Sequence, residues 1–251
     1  MYSEALLQVN NGAIKKYSLY TKSRYRYLIG SIMAGFFIGL GILLMGLSIS
    51  IFGNLDSDFV KISNGVIFSA ALSLVIMAGG ELFTSNIMVL SSAAFTGRIS
   101  GMDAIKVCAL SYIGNFLGAL LVSVLYMGTG AKGSAVGDAI VGLCFSKTSA
   151  DVITIFFRGI MCNILVCTAV LCCMKMKNEA AKLIMIVWCI LTFVGLGFEH
   201  SIANMMVFSL GSMISKEVTI GVALHNLIPA TIGNIVGGIM VSGTFYTLGK
   251  Q

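Results

Sequence analysis

Charge is what this chain has least of. Only 10% of its 251 residues are Asp, Glu, Lys or Arg, against 57% hydrophobic. A soluble globular domain of this length carries far more charge than that, so soluble enzymes are excluded. The net charge of +6 does not indicate nucleic acid, because basic residues gathered at one membrane face account for it. Proline occurs once, at Pro229, which excludes a pore built on two Asn-Pro-Ala turns. Histidine occurs only as His200 and His225, so no i, i+4 imidazole pair can form a helical metal site. The seven cysteines are odd in number and lie mostly in apolar segments, which argues against a disulfide framework. Cys172-Cys173-Met174-Lys175-Met176 holds soft-metal donors, but Cys and Met are also ordinary apolar residues of a membrane helix. No cofactor is implied. Ser201 follows His200, yet helix neighbours lie about 100° apart and do not face each other; no nucleophile motif is present, and the chain does not read as an enzyme.

What is abundant is apolar length. Mean hydropathy is +0.97, and long apolar runs recur throughout, as in an all-α polytopic membrane protein. Residues 1–27 carry Lys15, Lys16, Lys22, Arg24 and Arg26 with several tyrosines, the pattern of an amphipathic helix at the bilayer surface. They lack the short apolar core and cleavage site of a removable signal. Against the roughly 20 residues that a spanning helix needs, six spans follow, near 28–53, 62–94, 104–127, 153–174, 181–209 and 226–247. A short rim helix is expected over Lys216–His225, with Pro229 shaping the start of the last span. With both termini on one side, that side holds eleven of the sixteen basic residues, Lys250 among them. The other side collects Asp56, Asp58, Asp138, Asp151 and Glu217. The positive-inside rule then places both termini in the cytoplasm of a plasma (inner) membrane protein.

Polar stretches interrupt the second and fifth spans: Gly79-Gly80-Glu81-Leu82-Phe83-Thr84-Ser85-Asn86 and Phe198-Glu199-His200-Ser201-Ile202-Ala203-Asn204. Such groups are costly in lipid and normally face the bundle interior or a polar pathway. Gly114-Asn115 in the third span echoes Gly233-Asn234 in the sixth, and Ile32-Met33-Ala34-Gly35 loosely echoes Ile160-Met161-Cys162-Asn163. The chain therefore reads as one domain, 1–251, of two three-helix repeats, about 28–127 and 153–247. An odd number of spans per repeat makes the second inverted, and inverted repeats with matched breaks place a permeation site near the midplane.

At Gly79-Gly80-Glu81-Leu82-Phe83-Thr84-Ser85, which Asn86 follows where members vary, at Phe198-Glu199-His200-Ser201-Ile202-Ala203-Asn204, and at Gly159-Ile160-Met161-Cys162-Asn163-Ile164-Leu165-Val166-Cys167-Thr168-Ala169 and Asn226-Leu227-Ile228-Pro229-Ala230-Thr231-Ile232-Gly233-Asn234, the chain resembles the formate/nitrite transporter family. Thr168 departs from the usual aliphatic residue and can back-bond to its own helix. The resemblance implies an aquaporin-like six-span fold and a homopentamer with one pore per protomer, carrying a small inorganic or organic anion across the lipid bilayer. Its compact length and short tail are most similar to the hydrosulfide-channel branch known in clostridia. Formate and nitrite remain the alternatives, and a soft-metal transporter is a more remote one.

His200 heads the candidate residues, since histidine alone has an unperturbed pKa near physiological pH. The resemblance implies a polar group sharing a proton with a passing anion; taken alone, it reads equally as a neutral histidine bridging two helices. Thr84, in the facing break, can hold that imidazole or touch the permeant, or simply back-bond. Leu82 and Phe198 are assigned to apolar constrictions that reject hydrated ions. Lys147, in the loop before the fourth span, is expected to attract anions. Glu81 and Glu199 read as structural, accepting from backbone N–H groups freed by the breaks, with Asn163, Asn204, Asn115 or Asn234 as partners; a proton relay is the sharper reading.

Overall fold

A computed structural model of the chain describes residues 2–55 and 57–249. Asp56 and Lys250, both used in the charge distribution, lie outside the described residues. Ten helices and no strands make up the described part. They are α1 (Tyr2–Lys22), α2 (Arg24–Phe52), α3 (Ser57–Ala78), α4 (Phe83–Phe95) and α5 (Gly101–Gly128), then α6 (Ala135–Thr148), α7 (Val152–Lys175), α8 (Glu179–Gly195), α9 (Ser201–Ile214) and α10 (Ile220–Gly249). Among the described residues, α2, α3, α5, α7 and α10 are long and apolar enough to cross a membrane, and α4 and α9 are shorter apolar helices.

Short polar side chains start these helices where the sequence turns. Ser23, Ser100, Ser134, Asp151 and Asn178 each accept a backbone N–H from the first turn of α2, α5, α6, α7 and α8. Each such cap stabilises its helix by about 1 kcal/mol. The Ser134 cap begins a helix where a loop was expected. At 14 residues, α6 is too short for a spanning run, so hydropathy alone passes over it. Lys147 consequently sits in its last turn.

Two other expectations change. The rim helix before the last span is not separate: from Ile220 onward it forms the first turns of α10, which runs through Pro229 without a break. Proline within a membrane helix is tolerated where neighbouring groups satisfy the freed carbonyl. The N-terminal helix ends at Lys22, and it does more than lie on a surface. Ala5, Val9 and Ala13 are buried, and α1 packs against α4, α10, α2 and α7. Thr168 back-bonds to Ile164 O at 2.7 Å, as a threonine in a helix can.

Backbone contact holds the helices together. In the α2–α5 pair, a Cβ on Gly35 would fall on the Asn115 carbonyl and one on Gly118 on that of Ile32. In the α7–α10 pair, Gly233 meets the Phe156 carbonyl and Gly237 that of Ile160 in the same manner. Small residues that let backbones touch are how helices associate where lipid removes the hydrophobic incentive. The interruptions fall where the sequence placed them. Residues 79–82 separate α3 from α4, and residues 196–200 separate α8 from α9. Gly79 (φ 84°) and Gly197 (φ 69°) make the left-handed turns at which α3 and α8 stop.

Candidate functional site

Breaking a helix in an apolar bundle exposes backbone donors and acceptors that must find partners. Two asparagines supply them. Asn115 of α5 accepts the Phe83 N–H at 2.8 Å and donates to Ser31 O (2.7 Å) and Glu81 O (3.0 Å). Asn234 of α10 accepts the Ser201 N–H at 2.9 Å and donates to Gly159 O and Glu199 O, both at 2.8 Å. The backbone follows the same pairing: Glu81 N donates to Gly30 O at 3.0 Å, and Glu199 N to Arg158 O at 3.3 Å. The echoes read in the sequence thus correspond bond by bond, with Asn115 matched to Asn234 and residues 30 and 31 to 158 and 159.

The glutamates do something other than expected. Their carboxylates accept from side chains, not from the freed backbone N–H groups, because the asparagines already occupy those positions. Glu81 Oε2 accepts from Lys16 at 2.7 Å and from Asn86 at 3.1 Å. Glu199 Oε2 accepts from Lys147 at 2.9 Å and from Asn204 at 2.6 Å. Lys147 is therefore not a free cation but half of a partly buried ion pair. Asn204 also donates to Asn226 at 2.6 Å, and Asn226 to Lys147 O at 2.8 Å. Asn163 of α7 ties the two halves, donating to Thr84 O (3.1 Å) and Asn234 O (2.6 Å).

Between the breaks, Thr84 Oγ1 and His200 Nε2 meet at 3.0 Å, both buried. His200 is also the N-cap of α9: its Nδ1 accepts the Ala203 N–H at 3.1 Å. An acceptor Nδ1 puts the ring proton on Nε2, so Nε2–H donates to Thr84 and the threonine hydroxyl hydrogen remains free for another acceptor. The imidazole stacks on Phe193 of α8, centroids 6.1 Å apart. Leu82 occupies the matching N-cap of α4 and makes no side-chain cap bond.

A cavity of about 570 Å³ reaches this contact from one side, bordered by Lys147, Arg158, Phe198, Glu199 and His200. A second, of about 310 Å³, approaches from the first break, bordered by Lys16, Gly80, Glu81, Ser85 and Cys173. Leu82 and Thr84 border neither cavity and are fully buried. The structure thus brings His200, Thr84, Phe198, Lys147 and Glu199 to one place, with Leu82 beside them. Glu81 serves the other cavity, and Cys172 lies apart from both. Lys16, Phe193 and Arg158 were missed as site residues. A lysine on an amphipathic helix and an aromatic in an apolar run carry no local signal; only the fold brings them here.

Apolar helices, paired breaks and a cavity at each break, with a buried polar contact joining the two breaks, define a membrane transport protein. Comparison with known proteins makes this particular. The profile of the family described as formate/nitrite transporter matches residues 3–248. The nitrite transporter NirC of Escherichia coli (strain K12) is 35% identical over 250 residues, covering 98% of this chain and 91% of that one. A solved structure described as an FNT family ion channel superposes with a TM-score of 0.90 at 31% identity, over 99% of both chains. Another, a pentameric formate channel with formate bound, gives 0.83 at 28% identity over 90% of this chain and 97% of that one. The chain belongs to the formate/nitrite transporter family and is a multi-pass membrane protein.

Proposed function

We propose that this chain forms a pore for small monovalent anions of weak acids, hydrosulfide first, with formate and nitrite as the alternatives that its relatives favour. The observation that carries the reading is the buried Thr84–His200 contact at 3.0 Å, with one cavity bordered by His200 and a second by Ser85, next to Thr84. In the proposed architecture α3 with α4, and α8 with α9, act as interrupted second and fifth spans. The six spans then form two inverted repeats in one domain, with both termini in the cytoplasm. Five such protomers assemble, as in the solved formate channel.

A bare anion loses several kcal/mol of solvation on leaving the cavity for an apolar passage. Leu82 and Phe198 supply that passage and turn back hydrated ions. Protonation of Nδ1 would sacrifice the α9 cap, so the neutral ring acts by orienting Thr84, whose free hydroxyl hydrogen donates to the permeant. The neutralising proton comes from solution in the outer cavity. Chloride, which has no useful neutral acid, is then excluded. The partly buried pairs Lys16–Glu81 and Lys147–Glu199 cancel their own charges at the two breaks while fixing them. A soft-metal transporter gains nothing from this arrangement.

Uptake of hydrosulfide, formate, nitrite and chloride into liposomes tests the reading. The native protein is expected to pass the three weak-acid anions and not chloride, with faster uptake at lower pH. Equal passage of chloride overturns it.

A further inference from the structure

The two halves of the molecule match closely, so a side chain present in one and missing from the other is not there for the scaffold. Arg158 is such a residue. Its carbonyl oxygen takes the Glu199 N–H, the role that Gly30 plays for Glu81 in the first half. A glycine suffices for that bond. The guanidinium is therefore an addition to one side only, at the level of the break that carries His200.

Its surroundings leave it available. Three basic residues border the larger cavity: Lys61, Lys147 and Arg158. Lys147 is held by Glu199 at 2.9 Å and Lys61 by Asp58 at 2.9 Å. Among the described residues no carboxylate pairs with Arg158. Across the same cavity wall stands Asn64 of α3, 9% exposed, whose amide oxygen has no hydrogen-bond partner. A buried acceptor without a donor favours a ligand that brings one.

We infer that Arg158 and Asn64 form a recruitment subsite in the larger cavity for planar two-oxygen monoanions and their acids, formate and nitrite among them. This inference rests on the pore reading above. A guanidinium presents two parallel N–H donors, which a planar pair of oxygens can accept together. Once such an anion is protonated, its O–H is the donor that the Asn64 oxygen lacks. Hydrosulfide and chloride each offer a single acceptor atom and gain only the attraction of the charge. The smaller cavity, with glycine in place of Arg158, has no equivalent.

The test is the concentration dependence of uptake into liposomes for sodium formate, nitrite and hydrosulfide, with native protein, Arg158→Ala, Arg158→Lys and Asn64→Ala. For Arg158→Ala the half-saturating concentration of formate and nitrite is expected to rise about tenfold, the order of one lost charge-assisted hydrogen bond. Hydrosulfide, which loses only the attraction of a solvent-facing charge, should change less than about twofold. Arg158→Lys keeps the charge without the fork, so it should recover hydrosulfide fully and formate and nitrite only in part. Asn64→Ala should weaken formate and nitrite alone. Equal loss for all three anions in Arg158→Ala, fully restored by lysine, overturns the subsite in favour of plain charge steering. Unchanged uptake of every anion in Arg158→Ala and Asn64→Ala overturns it while the pore stands. Failure of the native protein to pass any of them removes the pore reading itself. Native-like thermal unfolding of each variant rules out misfolding as the cause.

Discussion

Both ring nitrogens of His200 are engaged, Nδ1 with the start of α9 and Nε2 with Thr84, so truncating the ring confounds two effects. Asparagine caps helices as well as any residue but is too short to replace the Nε2 contact. His200→Asn is expected to keep thermal stability within about 1 kcal/mol of native. Its weak-acid anion flux should fall about tenfold, the equivalent of one lost hydrogen bond near 1.4 kcal/mol. His200→Ala should lose both, and an asparagine variant with native flux would assign the histidine to capping alone. Thr84→Val keeps shape while removing the hydroxyl. It leaves Nε2–H buried and unpaired, at about 1–3 kcal/mol, and should slow flux without loosening the helix start, as amide exchange at Ala203 would report. His200 was legible in the sequence because an imidazole in an apolar run stands out, whereas Thr84 stood out only through its place in the family motif. The cap was not, because only the observed φ and ψ show that His200 is the last residue before a helix.

Among elements, the two breaks and the two close helix pairs respond differently to a methyl group. Gly79 and Gly197 adopt positive φ with open space around them. Alanine there should cost only about 1–2 kcal/mol of backbone strain. Gly35 and Gly118 have ordinary φ, but their missing Cβ is where α2 and α5 touch. Alanine at either should cost about 3 kcal/mol or more, read as a much lower midpoint of thermal unfolding in detergent. A larger loss at Gly79 than at Gly35 would mean that turn geometry, not helix contact, limits stability. The positions of α2, α5, α7 and both breaks were readable because apolar run length and polar interruption are local signals. The α6 helix and the inward packing of α1 were not. Each depends on burial against helices distant in sequence, Cys144 beneath Val207 O in α9 and Asn10 beneath Ser92 in α4.

Across the whole molecule, the ion pairs are the same device used twice at different depths. Glu199 is 3% exposed and Glu81 14%. Removing one partner of a buried pair costs about 3–5 kcal/mol because the other charge is stranded, while removing both can be nearly neutral. Lys147→Met should therefore destabilise more than Lys16→Met, whose glutamate is the more exposed of the two. Lys147→Met with Glu199→Gln should recover most of the loss. Equal effects at the two lysines, measured by thermal unfolding, would count against depth as the deciding factor.

The matched halves have one more consequence. In the proposed inverted-repeat architecture the scaffold has no built-in sense of up and down, so directional behaviour would reside in the places where the halves disagree. Among those places are His200 against Leu82, Thr84 against Ile202 and Arg158 against Gly30, along with a lysine carried on α6 against one carried on α1. Exchanging those residues as a set is the change expected to reverse any preference for one direction of flux through the proposed pore.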